Sequence, residues 1–265
     1  MIESPPSARG DGGLGRTLRY LIRVPLLLVH LIVFLPLVLM SMVPLWSGLP
    51  WQGERLEHRV IRLWSGRLLR IFGLRVRSSG HALADPVLFV ANHVSWMDIE
   101  MLHSQRMVGF VAKREIRAWP LVGWLALRGE TIFHQRGSQE STGGVMHAML
   151  ERLRQGGSVA VFPEGRTRDG HALGPFHARL LQPAVEAGVP VQPVALCYGT
   201  GSEAQAIIAF GPGENFLVNF LRLLGEPPRQ ARVHFLEPFS QHPSGGRKQM
   251  ADLARERIVA AMARI

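Results

Sequence analysis

Two short segments carry the residue types that acid–base chemistry needs. Asn92-His93-Val94-Ser95-Trp96-Met97-Asp98 holds an imidazole and, five positions on, a carboxylate. Phe162-Pro163-Glu164-Gly165-Arg166 holds a glycine-containing turn with a cation beside it. A free imidazole titrates near ~6.5, so at neutral pH it can take a proton from an alcohol. A carboxylate accepting from one ring nitrogen fixes the tautomer that leaves the other nitrogen free. Gly165 permits a turn closed to other residues, and its backbone N–H groups with Arg166 could grip phosphate oxygens. A base and an anion-holding turn together are what acyl transfer onto a phosphate-bearing alcohol requires. The alcohol would attack a thioester carbonyl directly, with no protein nucleophile.

These side chains need particular elements to hold them. Within one continuous helix an offset of five residues turns through roughly 140°, so His93 and Asp98 would diverge. They meet only if His93 lies in a loop and a helix begins near Ser95. Ser95-Trp96-Met97-Asp98 has the form of a capping box, which supplies that start. The same spacing also fits a plain helix cap with His93 as a loop residue, and spacing alone does not choose. Pro86–Ala91 is a short apolar run before a polar break, hence a buried strand, and His93 follows it where open α/β sheets place their ligand crevice. Ser158–Phe162 is the strand before the Gly165 turn. Val108–Ala112 and Glu130–His134 are further strands, and Lys113 and Arg136 are cations just beyond their ends. Strands over Val191–Tyr198 and Ala231–Leu236 interleave with helices over Ser141–Gln155, Phe176–Ala187, Asn215–Leu224 and Arg247–Arg264. That alternation predicts an α/β fold: a central, mostly parallel sheet flanked by helices.

The alcohol is expected to be a lipid. Val24–Gly53 contains no Asp, Glu, Lys or Arg, and is longer than the ~20 residues that span a bilayer core. The run is too long for the apolar core of a cleaved signal peptide, and Trp46 and Trp51 follow its most apolar part, Val24–Met40, where a small-residue cleavage site would stand. Arg16, Arg19 and Arg23 precede the run and Arg55, Arg59, Arg62, Arg67 and Arg70 follow it, so the positive-inside rule gives no single orientation. Pro25, Pro36 and Pro44 could divide the run into two shorter helices, and a re-entrant hairpin with both ends cytoplasmic would satisfy both flanks. Glu54–Phe72 follows as a basic amphipathic helix suited to an anionic leaflet. The expected organisation is a loose tail over 1–15, a membrane-embedded helical segment over 16–53, an interfacial helix over 54–79 and a catalytic domain over 80–265.

The net charge of +10 implies a polyanionic partner. The apolar run favours an anionic membrane surface over nucleic acid, for which no recognition motif is present. One cysteine, Cys197, excludes an internal disulfide and fits a reducing compartment. The eleven histidines lack metal-ligand spacing, so no metal is expected. The absence of a Gly-x-Ser-x-Gly elbow argues against a serine hydrolase. A reading of another class is a non-catalytic basic membrane-binding protein.

Together these segments resemble the glycerophosphate-type acyltransferases, in particular the bacterial 1-acylglycerol-3-phosphate acyltransferases. Asn92-His93 to Asp98 matches the family's Asn-His-x₄-Asp block, Phe162-Pro163-Glu164-Gly165 its third block, and Val189-Pro190-Val191-Gln192-Pro193-Val194 its Val-Pro-x-x-Pro block. Glu130-Thr131-Ile132-Phe133-His134-Gln135-Arg136 keeps the second block's Phe-to-Arg spacing, with Glu130 where glycine is usual and Gln135 where aspartate is usual. The resemblance covers residues 80 to 240. It implies His93 as base and Asp98 as its partner, with Lys113, Arg136, Glu164, Gly165 and Arg166 at the acceptor's phosphate or polar head. It further implies a coenzyme A or acyl-carrier-protein thioester as co-substrate without other cofactor, a lysolipid acceptor, and a catalytic domain on the cytoplasmic face of the inner membrane. The expected reaction converts 1-acylglycerol-3-phosphate to phosphatidate. Lyso-ornithine-lipid acyltransferases share the same blocks and are the alternative.

Overall fold

The computed structural model describes residues 13–51, 53–84, 86–118, 122–134, 139–167, 170, 172–200, 203–240 and 246–264. The apolar run forms one helix in two segments, α1 (Gly13–Val29) and α2 (Leu35–Ser41), joined by a π-helical turn over His30–Phe34. The expected division of this run at its prolines is therefore corrected. Pro36 lacks an N–H and its ring would strike the carbonyl four residues back. The wider π turn sits at that place and lets the helix continue. Pro25 is carried inside α1. The helix also starts at Gly13, inside the stretch expected as a tail.

The chain then turns, with a short antiparallel pair β1 (Pro50–Trp51) and β2 (Glu54–Arg55), and returns beside α2 as α3 (Leu56–Ile71). The hairpin is thus made of α1–α2 and α3, and Pro44 lies in its bend. Helix α3 ends at Gly73, whose φ of +82° suits glycine alone. Residues 74–79, assigned from sequence to the interfacial helix, are instead strand β3 (Leu74–Ser79), so the catalytic domain begins before residue 80. In β3, Leu74 and Val76 alternate with arginines over too few residues to stand out beside the helical pattern before them.

From there the chain runs β4 (Leu88–Ala91), α4 (Met97–Gln105), β5 (Gly109–Lys113), α5 (Val122–Arg128), β6 (Ile132–His134), α6 (Gln139–Arg154), β7 (Val159–Val161), α7 (Gln182–Ala187), β8 (Val191–Tyr198), α8 (Gln205–Ile208), α9 (Phe216–Leu224), β9 (Arg229–Phe235) and α10 (Arg247–Arg264). The sheet has seven strands in the order β3-β9-β8-β4-β7-β5-β6. The five from β8 to β6 are parallel. Strand β9 is antiparallel to β8 and parallel to β3. Strands buried on both faces read as continuous apolar runs, as β4 and β8 do. Alternate residues of β4 feed opposite faces. Phe89 and Ala91 pack with Leu69, Met97, Met101 and Leu223 of α3, α4 and α9. Leu88 and Val90 pack with Met149, Ala184 and Met250 of α6, α7 and α10. The result is helix, sheet, helix, with β4 near its centre.

The arginines before the apolar run have a local role. Arg19 donates to the Gly225 carbonyl (2.6 Å), and Arg23 to those of Leu224 (2.8 Å) and Glu226 (2.7 Å). The Tyr20 hydroxyl donates to Leu221 O (2.8 Å). They satisfy orphan carbonyls at the C-terminus of α9, where cations also suit the helix dipole. The base of α1 is thereby fastened to the catalytic domain. Most apolar side chains of the long helix, including Leu18, Leu21, Leu26 and Ile32, are exposed. An apolar face this long without protein cover marks a membrane contact, and Gly13–Ser41 is long and apolar enough to cross one.

Candidate active site

Strands β4, β5, β6, β7 and β8 run parallel, so their C-terminal ends share one edge of the sheet. The histidine segment leaves that edge from β4 and the Glu164 turn leaves it from the adjacent β7. Asn92 fastens the first exit: its side chain donates to Leu196 O (2.9 Å) and accepts from Leu196 N–H (2.8 Å) on β8. His93 therefore lies in the loop after β4, and α4 begins at Met97.

Asp98, in the first turn of α4, points back over that loop. Its Oδ2 accepts from His93 Nδ1 (2.8 Å), Val94 N–H (2.7 Å) and Ser95 N–H (2.9 Å). The bond to Ser95 N–H is the returning half of a capping box. The forward half is slack, with Met97 N–H 3.5 Å from Ser95 Oγ. The two readings of the motif are thus compatible, because one carboxylate caps the helix and holds the imidazole. Oδ1 accepts from the Tyr198 hydroxyl (2.6 Å). Asp98 is completely buried, and four donors offset its desolvation. Burial raises the Tyr198 hydroxyl's pKa well above its usual value, and the neighbouring Asp98 charge raises it further. Tyr198 is therefore a fixed proton donor.

The imidazole is held on its flat side as well. Its ring stacks on Phe162 with centroids 4.0 Å apart and planes at 11°, and Phe162 stacks on Phe110 in turn. The His93 side chain keeps 16% of its surface exposed. Nδ1 is engaged, and Nε2 has no hydrogen-bond partner among the described residues. A carboxylate-oriented histidine with one open ring nitrogen can take and return a proton.

Glu164 faces the histidine loop. It is buried, its Oε1 accepts from His93 N–H (3.1 Å) and its Oε2 from Gly174 N–H (2.9 Å). It thereby ties the connection after β7 to the loop after β4. Gly165 and Arg166, next in sequence, are exposed. Gly165 has φ +71°, and a Cβ there would come within 3.1 Å of the His177 ring. Lys113 is the last residue of β5, which pairs with β7. Arg136 lies outside the described residues, two positions past the end of β6. Among the described residues no cluster of three His, Cys, Asp or Glu side chains could hold a metal.

Three contributors were missed from sequence. Tyr198 ends an apolar strand, and a buried hydroxyl there needs a partner, which was the available signal. Phe162 and Asn92 stood inside noted motifs without an assigned task.

A model of the Acyltransferase family matches residues 74–197. Lyso-ornithine lipid O-acyltransferase of Pseudomonas aeruginosa is 41% identical over 201 residues, 76% of this chain and 76% of that protein. A 1-acyl-sn-glycerol-3-phosphate acyltransferase of Neisseria gonorrhoeae is 39% identical over 140 residues, 52% of this chain and 55% of that one. The crystal structure of the 1-acyl-sn-glycerophosphate acyltransferase PlsC from Thermotoga maritima aligns with a TM-score of 0.74 at 20% identity, over 94% of this chain and 95% of that chain. At that identity the likeness is one of fold.

Proposed function

The chain belongs to the acyltransferase family that includes the enzymes acylating lysolipids, and from that premise we propose that His93 is the general base of acyl transfer to a lysolipid hydroxyl. The observation that carries the reading is the Asp98 Oδ2–His93 Nδ1 contact of 2.8 Å with Nε2 left open. Nε2 removes the hydroxyl proton as the oxygen attacks the thioester carbonyl. The tetrahedral adduct collapses, the carbon–sulfur bond breaks, and the thiolate leaves with the proton that the imidazolium returns. Asp98 holds the imidazolium's orientation and balances its charge. The donor is an acyl thioester of coenzyme A or of acyl carrier protein, and no further cofactor takes part.

For the acceptor, the exposed Gly165–Arg166 turn supports an anionic head, and 1-acylglycerol-3-phosphate is the first reading. Lyso-ornithine lipid is the second, favoured by the Pseudomonas aeruginosa relative and by one of Rhizobium meliloti at 34% identity over 86% of this chain. Mass spectrometry of products from the purified enzyme, given both acceptors and both donors, decides between them. The first reading requires diacyl phosphatidate as the main product; diacyl ornithine lipid alone would replace it with the second. Arg166→Ala should raise KM for the phosphate acceptor about tenfold with kcat little changed, as loss of a charged contact made equally before and during reaction does. An unchanged KM would move the headgroup elsewhere.

The protein is membrane-associated. The proposed seat is one leaflet of the inner membrane, with the catalytic domain on the cytoplasmic face. Two features support it: α3 returns beside α2, and the base of α1 is tied to α9, so both ends of the hairpin lie on the domain's side.

A further inference from the structure

Helix α3 has two committed faces. Ile61, Ser65, Leu68 and Leu69 are buried toward the catalytic domain. Leu56, Val60, Leu63, Trp64 and Arg67 turn to another side, where with Phe34, Val38 and other residues of the first helix and its bend they line an open groove of about 440 Å³. That volume lies within the range of ligand sites. Its lining is apolar except for Ser41 and Arg67. The Ser41 hydroxyl is spent on Val38 O (2.8 Å), so Arg67 is the polar group available to an occupant. The Arg67 guanidinium lies 4.1 Å over the Phe34 ring. Held over that ring, it still has N–H donors to offer an occupant's oxygens. Beside it, His30 is 2% exposed, its ring centroid is 4.0 Å from that of Trp64, and its Nε2 has no hydrogen-bond partner among the described residues. His30 thus packs behind Trp64 and backs that wall of the groove. The π turn that begins at His30 is the kind of irregularity often found at functional sites.

The groove has a cationic end at Arg67 and runs about 16 Å along α3 to Leu56, at the 1.5 Å rise of a helix. It opens between Leu37, Met40, Trp46 and Leu63, all exposed, on the face a membrane covers. We propose that this groove holds one anionic diacyl phospholipid of the surrounding membrane, its phosphate on Arg67 and one acyl chain along the groove. The buried face of α3 stands between the groove and α4, which carries Asp98, so the occupant is a bound membrane lipid and not the reacting lysolipid. The site goes beyond the proposed reaction and is read without turnover.

The test uses the full chain in nanodiscs of equimolar phosphatidylglycerol and phosphatidylethanolamine with added lysophosphatidate, extracted into mild detergent and examined by native mass spectrometry. One phosphatidylglycerol should stay with each wild-type chain. Arg67→Gln should weaken its retention at least about tenfold, the effect of losing one charge-assisted contact. Val60→Trp, which fills the groove, should abolish retention in protein whose circular dichroism matches wild type. Retention of no lipid, of both phospholipids equally or of lysophosphatidate instead would overturn the proposal. So would Val60→Trp or Arg67→Gln protein that keeps phosphatidylglycerol as well as wild type.

Discussion

His93→Ala should lower kcat by about 10²–10⁴-fold while the protein stays folded and membrane-bound, since general-base catalysis is worth that much. Asp98→Asn is the more informative change. With its amide oxygen in the Oδ2 position it can still accept from His93, Val94 and Ser95, and the Tyr198 hydroxyl can turn to accept from the amide N–H₂. Geometry is kept and the negative charge is lost, so kcat should again fall by up to about 10⁴-fold. Wild-type turnover in Asp98→Asn would reduce the carboxylate to a helix cap. Tyr198→Phe asks what the fourth donor contributes. It leaves Asp98 Oδ1 without its 2.6 Å partner in the core, which costs about 1–3 kcal/mol. A clear drop in thermal midpoint should result, with less loss of turnover than Asp98→Asn causes. An unchanged midpoint would mean that water replaces the hydroxyl.

Among the elements, the helical hairpin has the most to decide. Its limbs, α1–α2 and α3, differ in kind: one is apolar all along its outer side, the other carries an arginine every few residues. A limb with that many cations is expensive to sink through a bilayer, and both limbs are fastened to the catalytic domain at their bases. The bend at 42–55 should therefore stay within the membrane and not emerge on its far side. Ser47→Cys tests this, because the native Cys197 is buried. Impermeant maleimide applied outside intact spheroplasts should leave the new thiol unlabelled. Strong labelling from that side would establish a full crossing.

For the molecule as a whole, acid stability follows from a histidine with no part in catalysis. Burial lowers the pKa of His103 to about 4, although its Nε2–H donates to Val108 O (3.1 Å). The unfolded chain binds that proton near ~6.5 and the folded chain refuses it until far lower pH, so between these values acidification favours unfolding. The contribution to stability is complete above about 6.5 and is lost as pH falls toward 4. Thermal midpoints measured from pH 7 to 4 should fall across that window, and fall less steeply in His103→Gln. Equal slopes would assign the acid transition to other groups.

What could be read from the sequence alone was whatever a few neighbouring residues encode. The pair His93 and Asp98 is five residues apart, and a loop followed by a capped helix start is nearly the only local way to join them. Most strand and helix positions from residue 86 onward came from periodicity, and β8 and α10 fall where the pattern put them; the short α5 and α8 were not read, and the helix expected over Phe176–Ala187 is α-helical only in α7, Gln182–Ala187. The apolar run was equally plain. Contacts between distant segments were decided by tertiary structure. Tyr198 meets Asp98 across 100 residues and Glu164 meets His93 across 71, because β4 lies between β8 and β7, an order that no local period carries. The same holds for β3, whose six residues gain their identity by pairing with β9, and for Arg19 and Arg23, flanking charges in the chain and helix caps in the fold. Local spacing sets which side chains can meet nearby; the order of strands in the sheet sets which distant ones do.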